Sequence, residues 1–364
     1  MKRVDRKILV IILLILFVSV VALYSSCHQK GEFAKKMIFF KQLAWLAIGL
    51  FFMFVFSKID YRRLKEIAWP LYFFAIFFLV VVLFTGHVRM GAQRWLSLGG
   101  FNFQPSELGK LALIIILSTY FSQKSIGELK VFNRRESLLK GFIFPLIITG
   151  VMVLLVFLQP DLGTAILYFI IFMLLVYFSG VRLKYILIFM TILALLSPFA
   201  WLLLKDYQRD RLTVFLDPGC DPLGAGYTII QSKIAVGSGM FFGKGWLSGT
   251  QNQLNFLAER HTDFIFSTIG EEWGFLGSMI LAILFYLLVE RIFVIANYVS
   301  NPFAKNLCFS IGAAIMVQFF VNIAMTIGLL PVVGVPLPFI SYGGSSLIVF
   351  LILIGIVLNI SELL

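Results

Sequence analysis

Charge is what this sequence has least of. Only 13% of its 364 residues are Asp, Glu, Lys or Arg, while 60% are hydrophobic; ordinary soluble domains carry roughly 25% charged residues. That balance excludes a soluble fold. Cysteine is scarce too: Cys27, Cys220 and Cys308 form no CxxC pair and no metal-ligand spacing, and whether Cys27 and Cys220 pair is left open. No basic stripe interleaved with aromatics accompanies the net charge of +12, so nucleic acid is not an expected partner. There is no convincing internal repeat and no low-complexity segment. No small-residue cleavage site follows Leu23, so the basic start and the apolar run 8–23 predict a retained first helix rather than a secretory signal.

What is present is a succession of apolar runs long enough to cross about 30 Å of hydrocarbon as helices. They lie near 8–23, 38–56, 67–84, 107–121, 142–158, 162–179, 185–204, 264–288, 306–328 and 345–361. This predicts an all-α polytopic integral membrane protein of about ten transmembrane helices, a single membrane domain over 1–364. Short cytoplasmic loops collect Lys and Arg. With the N-terminus inside, Lys58, Arg62, Arg63 and Lys65, then Lys124, Lys130, Arg134, Arg135 and Lys140, then Arg182 and Lys184 all fall on the cytoplasmic side. The expectation is N-in, C-in, although Lys30, Lys35 and Lys36 in the first outer loop run against it. The orientation leaves one long extracytoplasmic loop, 205–263, between helices 7 and 8. Loops of that length are usually functional or disordered, and the turn signals and aromatics of this one argue for order. Within it, residues 227–236 predict a short amphipathic helix, and the glycine-rich 237–249 segment reads as a flexible flap.

The polar motifs gather on the outer side. Residues 243–266 (GKGWLSGTQNQLNFLAERHTDFIF), 104–107 (QPSE) with Lys110, 159–165 (QPDLGTA), 336–346 (PLPFISYGGSS) and 91–95 (GAQRW) occur in one chain. Their combination and order resemble the SEDS family, the shape, elongation, division and sporulation proteins, over nearly the whole length. Within that family, the Lys-Gly-Trp-Leu run followed by Glu-Arg-His-Thr-Asp is more similar to the elongation branch than to the division branch. Ala258 stands where a proline is common, Met240 where a glycine is common and Val333 where a threonine is common; none of these departures removes an ionisable group.

The resemblance implies peptidoglycan glycosyltransfer: polymerisation of lipid II outside the bacterial cytoplasmic membrane, with release of undecaprenyl pyrophosphate. It also implies a class B penicillin-binding protein and other elongation-complex membrane proteins as partners, beside lipid II and the growing lipid-linked glycan. A pyrophosphate leaving group dispenses with the strong general acid that glycosidases need, so one carboxylate taking the acceptor hydroxyl's proton is sufficient. Asp263, matching the family's essential aspartate, is the candidate base; its alternative role is to cap a helix beside Thr262. Glu107 and Lys110, three apart at the start of a span, share a helix face. They are candidates for pyrophosphate contact, or a structural pair. Asp161 is a candidate cavity residue or a favourable helix N-terminal charge. Arg94 and Arg260 are candidate guanidinium clamps, Arg94 alternatively an interfacial anchor. Lys244, His261, Ser341 and Ser345 complete the substrate-binding candidates; for His261 and the two serines a structural role is equally open. Asp263, Glu107 and Asp161 are weak candidate ligands for a divalent cation, Mg or Mn, against the pyrophosphate. Two rival functions remain. A lipid flippase or other transporter also uses many helices with intramembrane charges, but here the charges cluster at the outer ends of spans. A scaffold for cell-wall assembly is the third reading.

Overall fold

The computed structural model describes residues 5–28, 33–89, 92–98, 101–123, 139–181, 183–203, 206–221, 224–254, 256–257 and 259–364. Lys30, Lys124, Lys130, Arg134, Arg135, Arg182 and Ala258, used in the sequence argument, lie outside them. Helices dominate, and each of the ten expected spans is one. They are α1 (Arg6–Cys27), α2 (Phe33–Lys58), then after the single turn α3 (Arg62–Glu66) α4 (Ala68–Thr85), α5 (Pro105–Ser122), α6 (Phe144–Leu158), α7 (Leu162–Phe178) and α8 (Leu183–Leu203). The long connection before α12 contributes α9 (Asp206–Leu216), α10 (Ala225–Ser238) and the short α11 (Thr250–Gln253), and the chain returns through α12 (Ile265–Tyr298), α13 (Pro302–Thr326) and α14 (Gly344–Glu362). Seven spans are long and apolar enough to cross a membrane; α7 and the Leu183–Leu195 part of α8 are shorter apolar segments, and α5 carries Glu107 and Lys110 inside its first turns.

Local chemistry sets the helix starts. Asp5 caps α1 by accepting from the Lys7 and Ile8 amides, Asp161 caps α7 through Thr164 N, and Asn301 caps α13 ahead of Pro302. Each satisfies backbone N–H groups that a helix leaves without partners. Pro105 opens α5 at a position whose N–H has no intrahelical acceptor anyway.

Helix α14 is the buried axis of the bundle, whereas α2 shows most of its surface to lipid. The two nevertheless approach closely at Gly355, where a Cβ would lie 2.5 Å from Met53 O, while Gly49 makes room for the Leu351 side chain. Small residues let membrane helices pack backbone to backbone in this way. Asn359 closes the end of that seam, donating to Ser57 O at 3.0 Å and accepting from Tyr61 N at 2.9 Å. Stacked rings, Phe285 with Phe319 at 4.4 Å and Phe178 with Phe309 at 4.6 Å, fill the contacts of α13 with α12 and α7. The ion pairs Lys58–Glu362 and Arg291–Asp5 tie the ends of α2 and α14 and of α12 and α1, so both ends of the described chain lie at one face of the bundle.

Two features were not expected. Residues 87–103 form a small antiparallel sheet, β1 (His87–Arg89), β2 (Ala92–Leu98) and β3 (Phe101–Phe103), in the order β1-β2-β3. The second is a break in α12 at Gly274, whose φ of 65° and ψ of −159° are not helical. A broken helix strands backbone groups that lipid cannot satisfy, at several kcal/mol each. The segment after α10 supplies the partners: Lys244 N and Gly245 N donate to Glu271 O and Glu272 O, both at 3.0 Å, and Met240 O and Phe241 O accept from Phe275 N and Leu276 N at 2.8 and 3.0 Å. The approach is so close that a Cβ on Gly274 would sit 2.3 Å from Gly243 N. The expectation of a free flap over 237–249 is therefore corrected: the segment is docked into the break. Met240, in the docked segment, takes a φ of 48°.

Candidate active site

The starts of α5, α7, α12 and α14 meet at the face of the bundle opposite the chain ends, and strand β2 lies over them. Asp161, almost fully buried, is held from four directions. Thr164 N and Thr164 Oγ1 donate to it at 3.2 and 2.9 Å, Gln104 Nε2 donates at 3.3 Å, and Arg94 Nη1 from β2 lies 3.3 Å away. Its capping role and its place beside Arg94 thus coexist. Ser345 Oγ accepts from Gln104 N at 3.2 Å, bringing the start of α14 to the same spot.

Asp263 precedes α12 and is half-buried. It faces the loop 327–343: a Cβ on Gly334 would lie 3.6 Å from both Asp263 Oδ2 and Arg94 Nη1. The two side chains are accordingly within about 7 Å of each other. Gly334 has a φ of 71°, a conformation that favours glycine. The carboxyl of Asp263 is pushed up to about 6. Burial is the main cause and the Glu259 charge adds to it, whereas the Arg94 and Arg211 guanidiniums act in the opposite direction and Asp161 raises it further. Arg211, from α9, also donates to Val332 O at 3.1 Å. Gly163 packs so closely on this loop that a Cβ there would meet Val333 O at 2.3 Å, which brings Asp161 to the loop as well.

Glu107 and Lys110 form a closed pair just beneath. Lys110 Nζ donates to Glu107 Oε2 at 2.7 Å and to Gln318 Oε1 at 2.8 Å, and lies 4.6 Å from the centre of the Phe350 ring. Both side chains are almost fully buried, so the ammonium is enclosed by protein rather than presented to a ligand. Four further candidates sit elsewhere or are already engaged. Arg260 is buried, donating to Ser26 O at 2.9 Å and also to Asn252 O. Lys244 pairs with Glu271 at 2.7 Å beside the break in α12. The Ser341 hydroxyl donates to Thr262 O at 2.6 Å while accepting from Leu337 N at 2.7 Å. The His261 ring tilts against Tyr342, with centroids 5.9 Å apart.

A divalent-cation site at Asp263, Glu107 and Asp161 does not fit. Among the described residues no three His, Cys, Asp or Glu side chains converge to hold a metal ion, and the oxygens of Glu107 and Asp161 are directed at Lys110, Gln104, Thr164 and Arg94. Among the described residues no disulfide is formed: Cys27 is buried and Cys220 exposed. A separate cavity lined by Asp5, Arg6, Lys7, Arg291 and Tyr298 lies at the other end of the bundle and holds none of these groups. Sequence reasoning passed over Gln104, Thr164, Arg211, Glu259, Gln318 and Asn322. Gln318 and Asn322 carried a signal: two amides four residues apart in an otherwise apolar span, where polar groups need partners.

Together these features define a polytopic membrane protein with one cluster of buried ionisable groups at one end of its bundle. The FtsW/RodA/SpoVE family of cell cycle proteins matches residues 5–364, and the chain belongs to that family. It is 41% identical over 359 residues to the peptidoglycan glycosyltransferase MrdB of Escherichia coli K12, covering 98% of this chain and 93% of that protein. It is 39% identical over 370 residues to a probable peptidoglycan glycosyltransferase FtsW of Geobacter sp. M18, covering 99% and 98%. Among solved structures, a chain of a peptidoglycan synthase complex that coordinates polymerization and crosslinking superposes with a TM-score of 0.83 at 31% identity, over 99% of this chain and 98% of that one. The rod shape determining protein RodA of Thermus thermophilus gives 0.72 at 27% identity, over 98% and 96%.

Proposed function

We propose that this protein is a peptidoglycan glycosyltransferase that polymerises lipid II at the outer face of the bacterial cytoplasmic membrane during cell elongation. The observation that carries the proposal is Asp263: a carboxyl at the end of the bundle whose pKa of about 6 suits a base working near neutral pH, with Arg94 and Arg211 close enough to act on it. In the reaction, Asp263 takes the proton of the acceptor hydroxyl as that oxygen attacks the anomeric carbon of the donor. The bond from that carbon to the pyrophosphate breaks on the opposite face, giving inversion, and the electrons leave with undecaprenyl pyrophosphate. Arg94 is held by Asp161, and a small part of its side chain stays accessible. It and Arg211 are the cations placed to meet the pyrophosphate charge. No metal step is invoked.

The chain is oriented N-in and C-in, with Asp263 outside, and pairs with a class B penicillin-binding protein that crosslinks its product; the synthase complex among its structural neighbours supports that partnership. The flippase alternative is disfavoured by the same geometry, since Lys110 and Glu107 neutralise each other in an enclosed site. The deciding experiment supplies lipid II to purified wild type and Asp263→Asn with the partner, both checked for folding, and looks for glycan polymer. Polymer from the wild type alone supports the proposal. Polymer from both removes Asp263 as the base, and polymer from neither, with lipid II crossing vesicle membranes, makes the protein a flippase.

A further inference from the structure

The backbone around Asp263 is gripped in a way that its own helix does not require. Three successive carbonyls accept from three different donors: His261 O from Tyr342 N at 2.8 Å, Thr262 O from Ser341 Oγ at 2.6 Å, and Asp263 O from Asn322 Nδ2 at 2.9 Å. The donors come from two places, α13 and the turn before α14. Asn322 is fully buried, and its amide reaches a second carbonyl, Val335 O, at 2.8 Å. One turn earlier on the same face, Gln318 donates to Pro336 O at 2.9 Å and accepts from Lys110. A continuous chain of bonds therefore runs from the Glu107–Lys110 pair through Gln318 and the 335–336 backbone to Asn322 and Asp263.

We infer that Asn322 and Ser341 are positioning residues for the Asp263 base, clamping the 261–263 backbone against the loop that carries Gly334, and that Lys110 acts through this chain rather than on substrate. Three observations support the assignment. The Ser341 hydroxyl is engaged on both sides, as donor and as acceptor, and so is turned to the backbone instead of to a ligand. The ammonium of Lys110 is occupied by Glu107, Gln318 and the Phe350 ring. The clamp also joins Asp263 to the loop whose Gly334 lies beside Arg94, so the spacing between base and cation depends on it. A carboxylate at the tip of a loop is otherwise free to move by about 1 Å, and a displacement of that size costs about 100-fold in rate.

The inference rests on the transferase reading, and the test separates the two. Lipid II polymerisation is measured for the full chain with its partner as wild type, Ser341→Ala, Ser341→Thr and Asn322→Leu, the last keeping side-chain volume while removing the donors. Expected are a kcat lower by about 10- to 100-fold in Ser341→Ala and Asn322→Leu with KM for lipid II unchanged, and recovery in Ser341→Thr, which retains the hydroxyl. A raised KM at unchanged kcat would make Ser341 a substrate contact and overturn the clamp, as would unchanged kinetics in both variants. If Asp263→Asn polymerises lipid II as well as wild type does, the transferase reading fails instead. Hydrogen exchange on the wild type guards against variants that do not fold: the Tyr342 amide, bonded to His261 O, must exchange slowly, and rapid exchange there refutes the clamp directly.

Discussion

Two substitutions of opposite sign interrogate the Asp263 carboxyl without touching it. Glu259 stands four residues before Asp263, raises its pKa, and accepts from Thr262 Oγ1 at 2.9 Å. Glu259→Gln keeps an oxygen for that hydroxyl and removes the charge. Removing a neighbouring unit charge from a partly solvated site is worth on the order of 1 kcal/mol, or a little under one pH unit. The base must be ionised to work, so wild-type activity rises with pH through about 6. In Glu259→Gln that limb moves down to about 5, raising activity at pH 5.5 by about threefold and leaving it unchanged at pH 8. Arg94→Gln removes a charge that lowers the same pKa, so its limb moves up by a similar amount, while its high-pH plateau stays below that of the wild type because the guanidinium placed to meet the pyrophosphate is gone. The assay is the initial rate of glycan polymerisation at saturating lipid II from pH 5 to 8.5. Limbs that stay together in all three proteins, or that move in the same direction for both substitutions, refute Asp263 as the titrating base.

Lys110→Met leaves Glu107 buried without its partner and is expected to destabilise the protein by about 3–5 kcal/mol; adding Glu107→Gln recovers most of the loss in thermal unfolding, even though activity does not return. Gly274→Ala places a Cβ 2.3 Å from Gly243 N at a φ of 65°. It is expected to expel the 240–245 segment from the break, seen as faster hydrogen exchange at Lys244, Gly245, Phe275 and Leu276 with the rest of the bundle unchanged.

The membrane helices were legible because hydrophobic length alone specifies them: all ten apolar runs became helices, and α10 covers the amphipathic stretch around 227–236. Clustering of motifs was legible only in part. Asp161, Arg94, Asp263 and Ser345 do meet, but Arg260 and Lys244, embedded in the signature that pointed to the site, hold the loop to α1 and α12 instead. A guanidinium beside a functional residue in sequence carries no direction, and direction here is decided by which backbone carbonyls lack donors. The sheet over 87–103 was missed because its strands are three to seven residues long and lie between two membrane runs, although the Gly99-Gly100 pair is a hairpin signal. The break at Gly274 was invisible for a different reason: glycine is common in membrane helices, and only the docked loop turns this one into an interruption.

That docking has a consequence for anyone exchanging parts between relatives. The loop after α10 and α12 share hydrogen bonds across the break, so they are a single inheritance unit although the sequence separates them into a loop and a span. A chimera that imports the loop but keeps the recipient's helix would split bonds formed between residues 240–245 and 271–276. Grafts cut before Ala225 and after the second half of α12 carry both halves of that joint and keep Asp263 mounted on its own support.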